Sequence, residues 1–318
     1  MPGRKTDVAE AQWLCRLLEA GLLRPSLVPP APIRAVRSLT RYRKTQVKER
    51  QREAQRLQKT LEDAGIKLDC VATDVLGKSG RDMPGALCEG TTDPIVLAEL
   101  ARGRLGAKIP QLRETLEGRF DGDHALLVSQ ILAHVEFLEE AIERLSEEIA
   151  ERLRPSEPAL ELLETIPGVG RRTAEVLIAE TGGDMSAFAS ARHLASWAGM
   201  CPGNDESAGK RRSGKTRKGS KWLRAALCES AHAAARTRDT YLAAQFWRLS
   251  RRIGKKKAAM AVGHSILVAA WHILATDTDY DDLGGDWFAR KVNDGHRRDQ
   301  AIRNLHDLGY RVTLERVA

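Results

Sequence analysis

Cysteine is scarce and unpaired in this sequence: Cys15, Cys70, Cys88, Cys201 and Cys228 are scattered through 318 residues, with no CxxC pair among them. That spacing argues against a zinc ribbon and a disulfide framework, and it fits a reducing compartment such as the cytoplasm. Nothing at the start reads as a secretory signal, because MPGRKTD runs directly into a polar, capped helix. Long apolar runs are also lacking, with one exception at Ala258–Ala275 that lies near the lower length limit for a bilayer span. Its many alanines and its two histidines, His264 and His272, point to a buried helix, so no membrane partner is expected. No cysteine or carboxylate stands at ligand spacing beside those histidines, which are expected to serve packing and not a metal.

Acid is missing where it would matter most. Between Lys210 and Lys221 the chain carries Lys210, Arg211, Arg212, Lys215, Arg217, Lys218 and Lys221 with no Asp or Glu among them. An ordinary solvated surface intersperses the two signs, so this run reads as a surface for a polyanion. The whole chain leans the same way, with 51 Lys+Arg against 43 Asp+Glu, a net charge of +8 and a pI near 9.3. Gly203, Gly209, Gly214 and Gly219 punctuate the run and exclude a continuous helix, leaving a short β-hairpin or loop whose backbone N–H groups can approach a phosphate. Ser207 sits just ahead of it. Taken alone, a serine in an ESAG sequence is a turn residue. A second basic cluster, Arg248, Arg251, Arg252 and Lys255 to Lys257, reads as backbone contact or as a solvated helix end.

The rest of the chain is helical in pattern. From Ile33 the three-four positions are Ile33, Val36, Thr40, Arg43, Val47, Arg50, Ala54, Leu57, Leu61 and Ala64, and a cleaner series runs through Val128, Ile131, Val135, Leu138, Ile142, Leu145 and Ile149. The two are expected to fold back as an antiparallel helical hairpin, either an extended coiled-coil arm or part of a compact bundle. Arg43 and Arg50 at seam positions favour a wet or interfacial setting, which suggests a homo-oligomer. After the stretch RPSEP at Arg154–Pro158, read as a linker, LLETIPGVGRRTAEVLIAE has the form of a helix-hairpin-helix. Gly168 and Gly170 would let the turn approach a nucleic-acid backbone, and Arg171 and Arg172 would add charge at the start of the second helix. A plain αα-hairpin also wants glycine there. The expected fold is mainly α: a long helical hairpin or coiled-coil arm over 31–154, and a C-terminal helical domain over 155–318 with the helix-hairpin-helix and a small basic β-hairpin or loop.

Four segments together resemble the insertion-sequence one-ten family of transposases, which is related to the Piv DNA invertases and includes the bridge-RNA-guided recombinases. They are PGRKTDVAEAQW from Pro2, LTRYRKTQVKERQREAQRLQKTLEDAGIKL from Leu39, TIPGVGRRTAEVLIAETGGDM from Thr165 and HLASWAGMCPGNDESAGKRRSGKTRKGSKWLRAAL from His193. The resemblance implies a DNA transposase or recombinase of a mobile element, with DNA and a structured guide RNA as partners. It further implies Ser207 as the nucleophile on a DNA phosphodiester, and Mg²⁺ as the cofactor. In the family, a KTDxxDA segment supplies the last two acids of an Asp-Glu-Asp-Asp set on an RNase-H-like fold. Here Asp7 matches and Glu10 departs by one methylene, moving its charge by about 1.5 Å.

Local pattern alone reads Asp7 and Glu10 as a capping box; with the resemblance they become metal ligands as well as catalytic candidates. Residues 1–30 then read as a remnant of the catalytic domain, lacking the family's first Asp and its Glu, which precede KTD. A GTG valine codon read as the start, or a truncated relic, would account for that. The apolar face with Trp13, Leu14 and Leu17 would have packed on the absent sheet. Two acids cannot do the work of four, so the chain as given is expected to bind without cutting. The alternatives are a non-catalytic nucleic-acid-binding remnant and a helix-hairpin-helix DNA repair or structure-binding protein.

Overall fold

The computed structural model describes residues 6–23, 27–203, 205–290 and 294–314. The elements run α1 (Asp7–Glu19), α2 (Ala31–Asp63), α3 (Lys78–Cys88), α4 (Pro94–Ala98), α5 (Ile109–Thr115), α6 (Gly122–Leu153), α7 (Glu157–Glu164), α8 (Arg171–Thr181) and α9 (Ala191–Trp197). A two-stranded hairpin follows, β1 (Asp205–Ser207) and β2 (Lys210–Ser213), and then α10 (Lys221–Ala234), α11 (Tyr241–Ile253), α12 (Lys255–Thr276), α13 (Trp287–Arg290) and α14 (Asp294–Asp307). The fold is mainly α, as the periodicity predicts, and the glycine-punctuated basic run forms the described sheet.

Two compact units divide the chain, one comprising Met1–Arg34, Thr165–Val169 and Glu180–Ala318, the other Ala35–Glu164 and Gly170–Ala179. RPSEP is no extended linker: α6 ends in a 3-10 turn at Arg154–Ser156 and α7 begins at Glu157, with Pro155 in an early-turn position where its missing N–H is harmless.

In the helical unit, α2 and α6 run antiparallel, because rising positions on one meet falling positions on the other. Arg43 lies by Ser146, Arg50 pairs with Glu139, and Glu53 with His134. Leu57, Leu61, Val128 and Val135 are fully buried in the seam, joined by Ile66, Leu68, Met83, Leu97 and Leu112 from the connecting segments. Each such side chain contributes about 1.5–3 kcal/mol of burial. Of the two basic seam positions, Arg43 is buried rather than in the expected wet or interfacial setting, whereas Arg50 stays partly exposed. Arg43 is 4% exposed and donates to Glu175 of α8 at 2.5 Å, while Arg50 meets Glu139 at 2.6 Å. Acids of the same chain neutralise both, so the seam needs no second protomer to satisfy its charge.

In the other unit, α12 is the central helix and packs against α9, α10 and α11. It is long and apolar enough to cross a membrane by length and composition, yet it buries Ala258, Val262, Ile266, Leu267, Ala270 and Ile273 within the unit. Gly263 allows the close approach to α10: a Cβ there would stand 3.2 Å from the Leu227 carbonyl oxygen and 3.1 Å from Met200 Cε. His264 is half-buried and its pKa is pushed down by that burial, keeping the ring neutral, whereas His272 is exposed.

Candidate nucleic-acid interface

The hairpin is built from its base upward. Gly199 and Gly219 bring two chain segments into backbone contact, since a Cβ on Gly219 would lie 2.2 Å from the Ala198 carbonyl oxygen and one on Gly199 would lie 2.8 Å from the Gly219 nitrogen. One step up, the Gly203 N–H donates to the Lys215 carbonyl at 3.0 Å, and a Cβ on Gly203 would clash with that oxygen at 2.4 Å. Arg224, on the first turn of α10, donates to the Arg217 carbonyl at 2.9 Å and reaches the Gly199 carbonyl at 3.5 Å. Ser220 caps α10 by accepting from the Leu223 N–H, and its hydroxyl donates to the buried Glu180 carboxylate at 3.0 Å. The stem is therefore pinned to α10 and to the end of α8 by groups that sequence pattern did not single out.

At the tip, Ser207 pairs in register with Lys210 across a two-residue turn, and Glu206 with Arg211, with an irregularity between Asp205 and Glu206. Both turn residues have positive φ, Ala208 at 52° and Gly209 at 72°, as a type I′ turn requires. Glycine accepts this freely; Ala208 carries a left-handed cost of about 1–2 kcal/mol. Ser207, Lys210, Lys215, Arg217, Lys218 and Lys221 are all exposed, and the Lys221 Nζ lies over the Trp222 ring at 5.2 Å. Arg211 and Arg212 have strand backbone in β2, and their side chains lie outside the described residues. The arrangement presents one hydroxyl at the end of a strand, with a lysine opposite and further cations along the return segment.

The turn between α7 and α8 separates its four candidates. Gly168, at φ 85°, is pressed on α10: a Cβ would stand 2.4 Å from the Ala234 nitrogen and 2.5 Å from the Ser230 carbonyl oxygen. Gly170 is exposed, with nothing within 4 Å of its Cβ position, and Arg172 is exposed as well. Arg171 is occupied by acids. It makes two bonds to Glu157 at 2.6 and 2.5 Å and stands 3.7 Å from Glu164 and from Glu175. These bonds raise the Arg171 pKa and hold the Glu157 carboxyl below its ordinary value.

Asp7 and Glu10 lie exposed in the first turn of α1. The cap is Thr6, whose side chain accepts from the Ala9 N–H at 3.3 Å, so Asp7 does not close the turn as the capping-box pattern suggested; the cap falls one residue earlier. The two carboxylates favour the positive end of the helix instead. The helix ends sooner than its apolar pattern, at Gly21 with φ 65°, where Leu22 N–H bonds to the Leu17 carbonyl and Gly21 N–H to that of Leu18. None of its residues is buried; Trp13 is 45% and Leu18 67% exposed.

Among the described residues no group of three or more His, Cys, Asp or Glu could hold a metal ion.

This mainly helical protein with a basic hairpin and an exposed serine has sequence similarity to transposases in two of its segments. A family model described as "Transposase IS116/IS110/IS902 family" matches residues 160–248, which include the whole hairpin, and a second, described as "Transposase" and specific to the DEDD type, matches residues 1–66. The curated protein "Putative transposase y4pF/y4sB" of Sinorhizobium fredii is 32% identical over 149 residues, covering 45% of this chain. Over these matched segments the chain is similar to IS110-family transposases. It spans about 38% of the length of that curated relative. The DEDD type of the N-terminal match suggests use of a divalent metal by the family.

Proposed function

We propose that this chain supplies the strand-transfer serine and the phosphate grip of an insertion-sequence transposase acting on DNA in the cytoplasm. The observation that carries the proposal is Ser207, exposed beside the left-handed turn and in register with Lys210, at the head of an acid-free run of seven cations. Ser207 Oγ would attack a DNA phosphodiester. A phosphorus–serine ester forms, the bond from phosphorus to the 3′ oxygen breaks, and the departing oxygen takes up the proton that serine loses. Bond energy is conserved in the ester, so the 3′ hydroxyl of another strand can reverse the step and join the two. Lys210 and its neighbours would hold the charge that develops on the phosphate.

Gly170 and Arg172, being open, are the positions of the α7–α8 turn best placed for a backbone contact; Gly168 and Arg171 are committed to packing and ion pairs. A structured guide RNA would use the same cations, and assembly as a homo-oligomer would bring further acids to the serine. Mg²⁺ is the ion that Asp7 and Glu10 would favour as hard oxygen ligands.

The test is a denaturing gel of protein with end-labelled substrate. This chain is expected to bind without forming a covalent adduct, because Asp7 and Glu10 do not complete a donor set. A fusion that adds the family's first Asp and its Glu ahead of Asp7 is expected to form the adduct, and Ser207→Ala in the fusion to abolish it while leaving binding intact. An adduct that survives Ser207→Ala would remove this serine from the chemistry. The second reading, a nucleic-acid binder without cleavage, rests on the acid-free basic run, and a fusion that binds but never forms an adduct would establish it.

A further inference from the structure

In the helical unit, away from the hairpin, four cations surround one concavity. The cavity measures about 530 Å³, and Lys78, Arg102, Arg104 and Lys108 line it with a single carboxylate, Asp74. All four basic residues are exposed. Two of them are partly spoken for: Arg102 stands 3.1 Å from Asp82, and Lys108 donates to the Val71 carbonyl at 3.0 Å. Asp74 is likewise occupied, since its Oδ1 accepts from the Leu76 N–H at 3.0 Å. Lys78 and Arg104 have no acid partner among the described residues, although the chain elsewhere matches its arginines to acids; Arg43, Arg50, Arg81 and Arg171 are all paired. Four cations against the lining's one carboxylate, with Asp82 beside Arg102, leave an excess of positive charge on the cavity, and an anion there relieves the repulsion among them.

The walls are held in place. Gly80 lets residues 74–80 fold tightly, as a Cβ there would stand 2.6 Å from the Val75 carbonyl oxygen and 2.7 Å from that of Asp74. The opposite wall is tied on by the Arg102 N–H, which donates to the buried Ser79 hydroxyl at 2.9 Å.

We infer that this cavity is a second phosphate-binding site, which receives a backbone phosphate of a single-stranded nucleic-acid segment. The inference rests on the reading of the chain as a nucleic-acid binder, and it adds a site that the hairpin does not supply. A concave site of this volume admits one nucleotide unit of a flexible strand, whereas a duplex is too stiff to bend a single backbone phosphate into it. Lys78 and Arg104 are the grip, with Arg102 and Lys108 adding field from positions their own bonds fix.

The experiment measures binding of a fluorescein-labelled single-stranded oligonucleotide of mixed sequence by anisotropy across a salt series. Four proteins are compared: the parent chain, Lys78→Gln/Arg104→Gln, a control pair Lys59→Gln/Lys67→Gln at exposed positions of the same unit, and the hairpin triple Lys210→Ala/Arg211→Ala/Arg212→Ala. Loss of the one phosphate contact that Lys78 and Arg104 grip together lowers the slope of log affinity against log salt by about 0.7 in the cavity pair. The control pair is expected to leave the slope within error of the parent. An unchanged slope in the cavity pair overturns the site, and so does an equal fall in the control pair, which would mean a diffuse field. If the hairpin triple lowers the slope while the cavity pair does not, the cavity alone is refuted. If neither lowers it, the nucleic-acid reading falls with it. Glutamine keeps the side chains polar at exposed positions, and matching urea midpoints certify that the compared proteins are equally folded.

Discussion

Gly168→Ala and Gly170→Ala, two positions apart, are expected to do opposite things. At Gly168 the added methyl meets backbone from three directions, 2.4 Å from the Ala234 nitrogen, 2.5 Å from the Ser230 oxygen and 2.8 Å from the Ala234 Cα, and none of these atoms is the end of a flexible side chain. The turn must shift away from α10 or the helix must move. Overpacking of that kind costs about 1–3 kcal/mol. The backbone adds its own term, because φ is 85° and alanine in the left-handed region loses about 1 kcal/mol or more. Together the two predict destabilisation of about 2–4 kcal/mol, read from urea unfolding followed by circular dichroism. At Gly170 nothing lies within 4 Å of the Cβ position, and its φ is not in the left-handed region. Alanine there is expected to change stability by less than about 0.5 kcal/mol. If the Gly170 backbone lies against a phosphate, however, the methyl displaces a charge-assisted hydrogen bond of about 1.5–3 kcal/mol, and affinity falls by roughly 10- to 150-fold for every sequence alike. A Gly168→Ala protein as stable as the parent would refute the packing argument. A Gly170→Ala protein with unchanged affinity would take the turn out of the interface.

Neutralising Lys210, Arg211 and Arg212 together is expected to flatten the salt dependence of duplex DNA binding by about 0.9 per lost phosphate contact, and an unchanged slope would show that the hairpin does not touch phosphate. Arg43→Ala leaves the Glu175 carboxylate buried with its nearest partner gone, and a loss of about 3–5 kcal/mol is expected in chemical denaturation, whereas Arg43→Met/Glu175→Met should recover most of it. Glu139 is held below its ordinary pKa, chiefly by its hydrogen bond to Arg81 and then by Arg50. A depressed carboxylate stabilises the fold above the ordinary glutamate pKa and loses that contribution as pH falls through its lowered folded value. Glu139→Gln should accordingly remove part of the acid-side slope of the thermal midpoint while changing its alkaline side little.

The helices were legible because their information is local. Periodicity at Val128, Ile131, Val135, Leu138, Ile142, Leu145 and Ile149 identifies a face; Val128, Val135, Leu138, Ile142 and Ile149 are buried, and Ile131 and Leu145 at its edges are partly buried. The seam arginines were legible as charges but not as partners. Glu175 is separated from Arg43 by 132 positions, and only the tertiary fold reveals that the two neutralise each other. The candidate site divides along the same line. Its charge and its glycines stand in the sequence, so a basic hairpin near Ser207 could be read directly.

The hairpin's anchorage could not be read in that way. Gly199, Gly203 and Gly219 are indistinguishable in sequence from the flexible Gly209, yet they are the places where backbone meets backbone, and Arg224 reads as an ordinary helical cation although it spans two carbonyls of the stem. The difference bears on function. On the proposed reading, a serine that is to meet a phosphate in line needs a fixed base more than a fixed tip, since a base clamped at three levels limits where the two-residue turn can carry the hydroxyl. The strain at Ala208 is then borne by a short segment whose ends cannot relax, which is the circumstance in which a left-handed alanine persists.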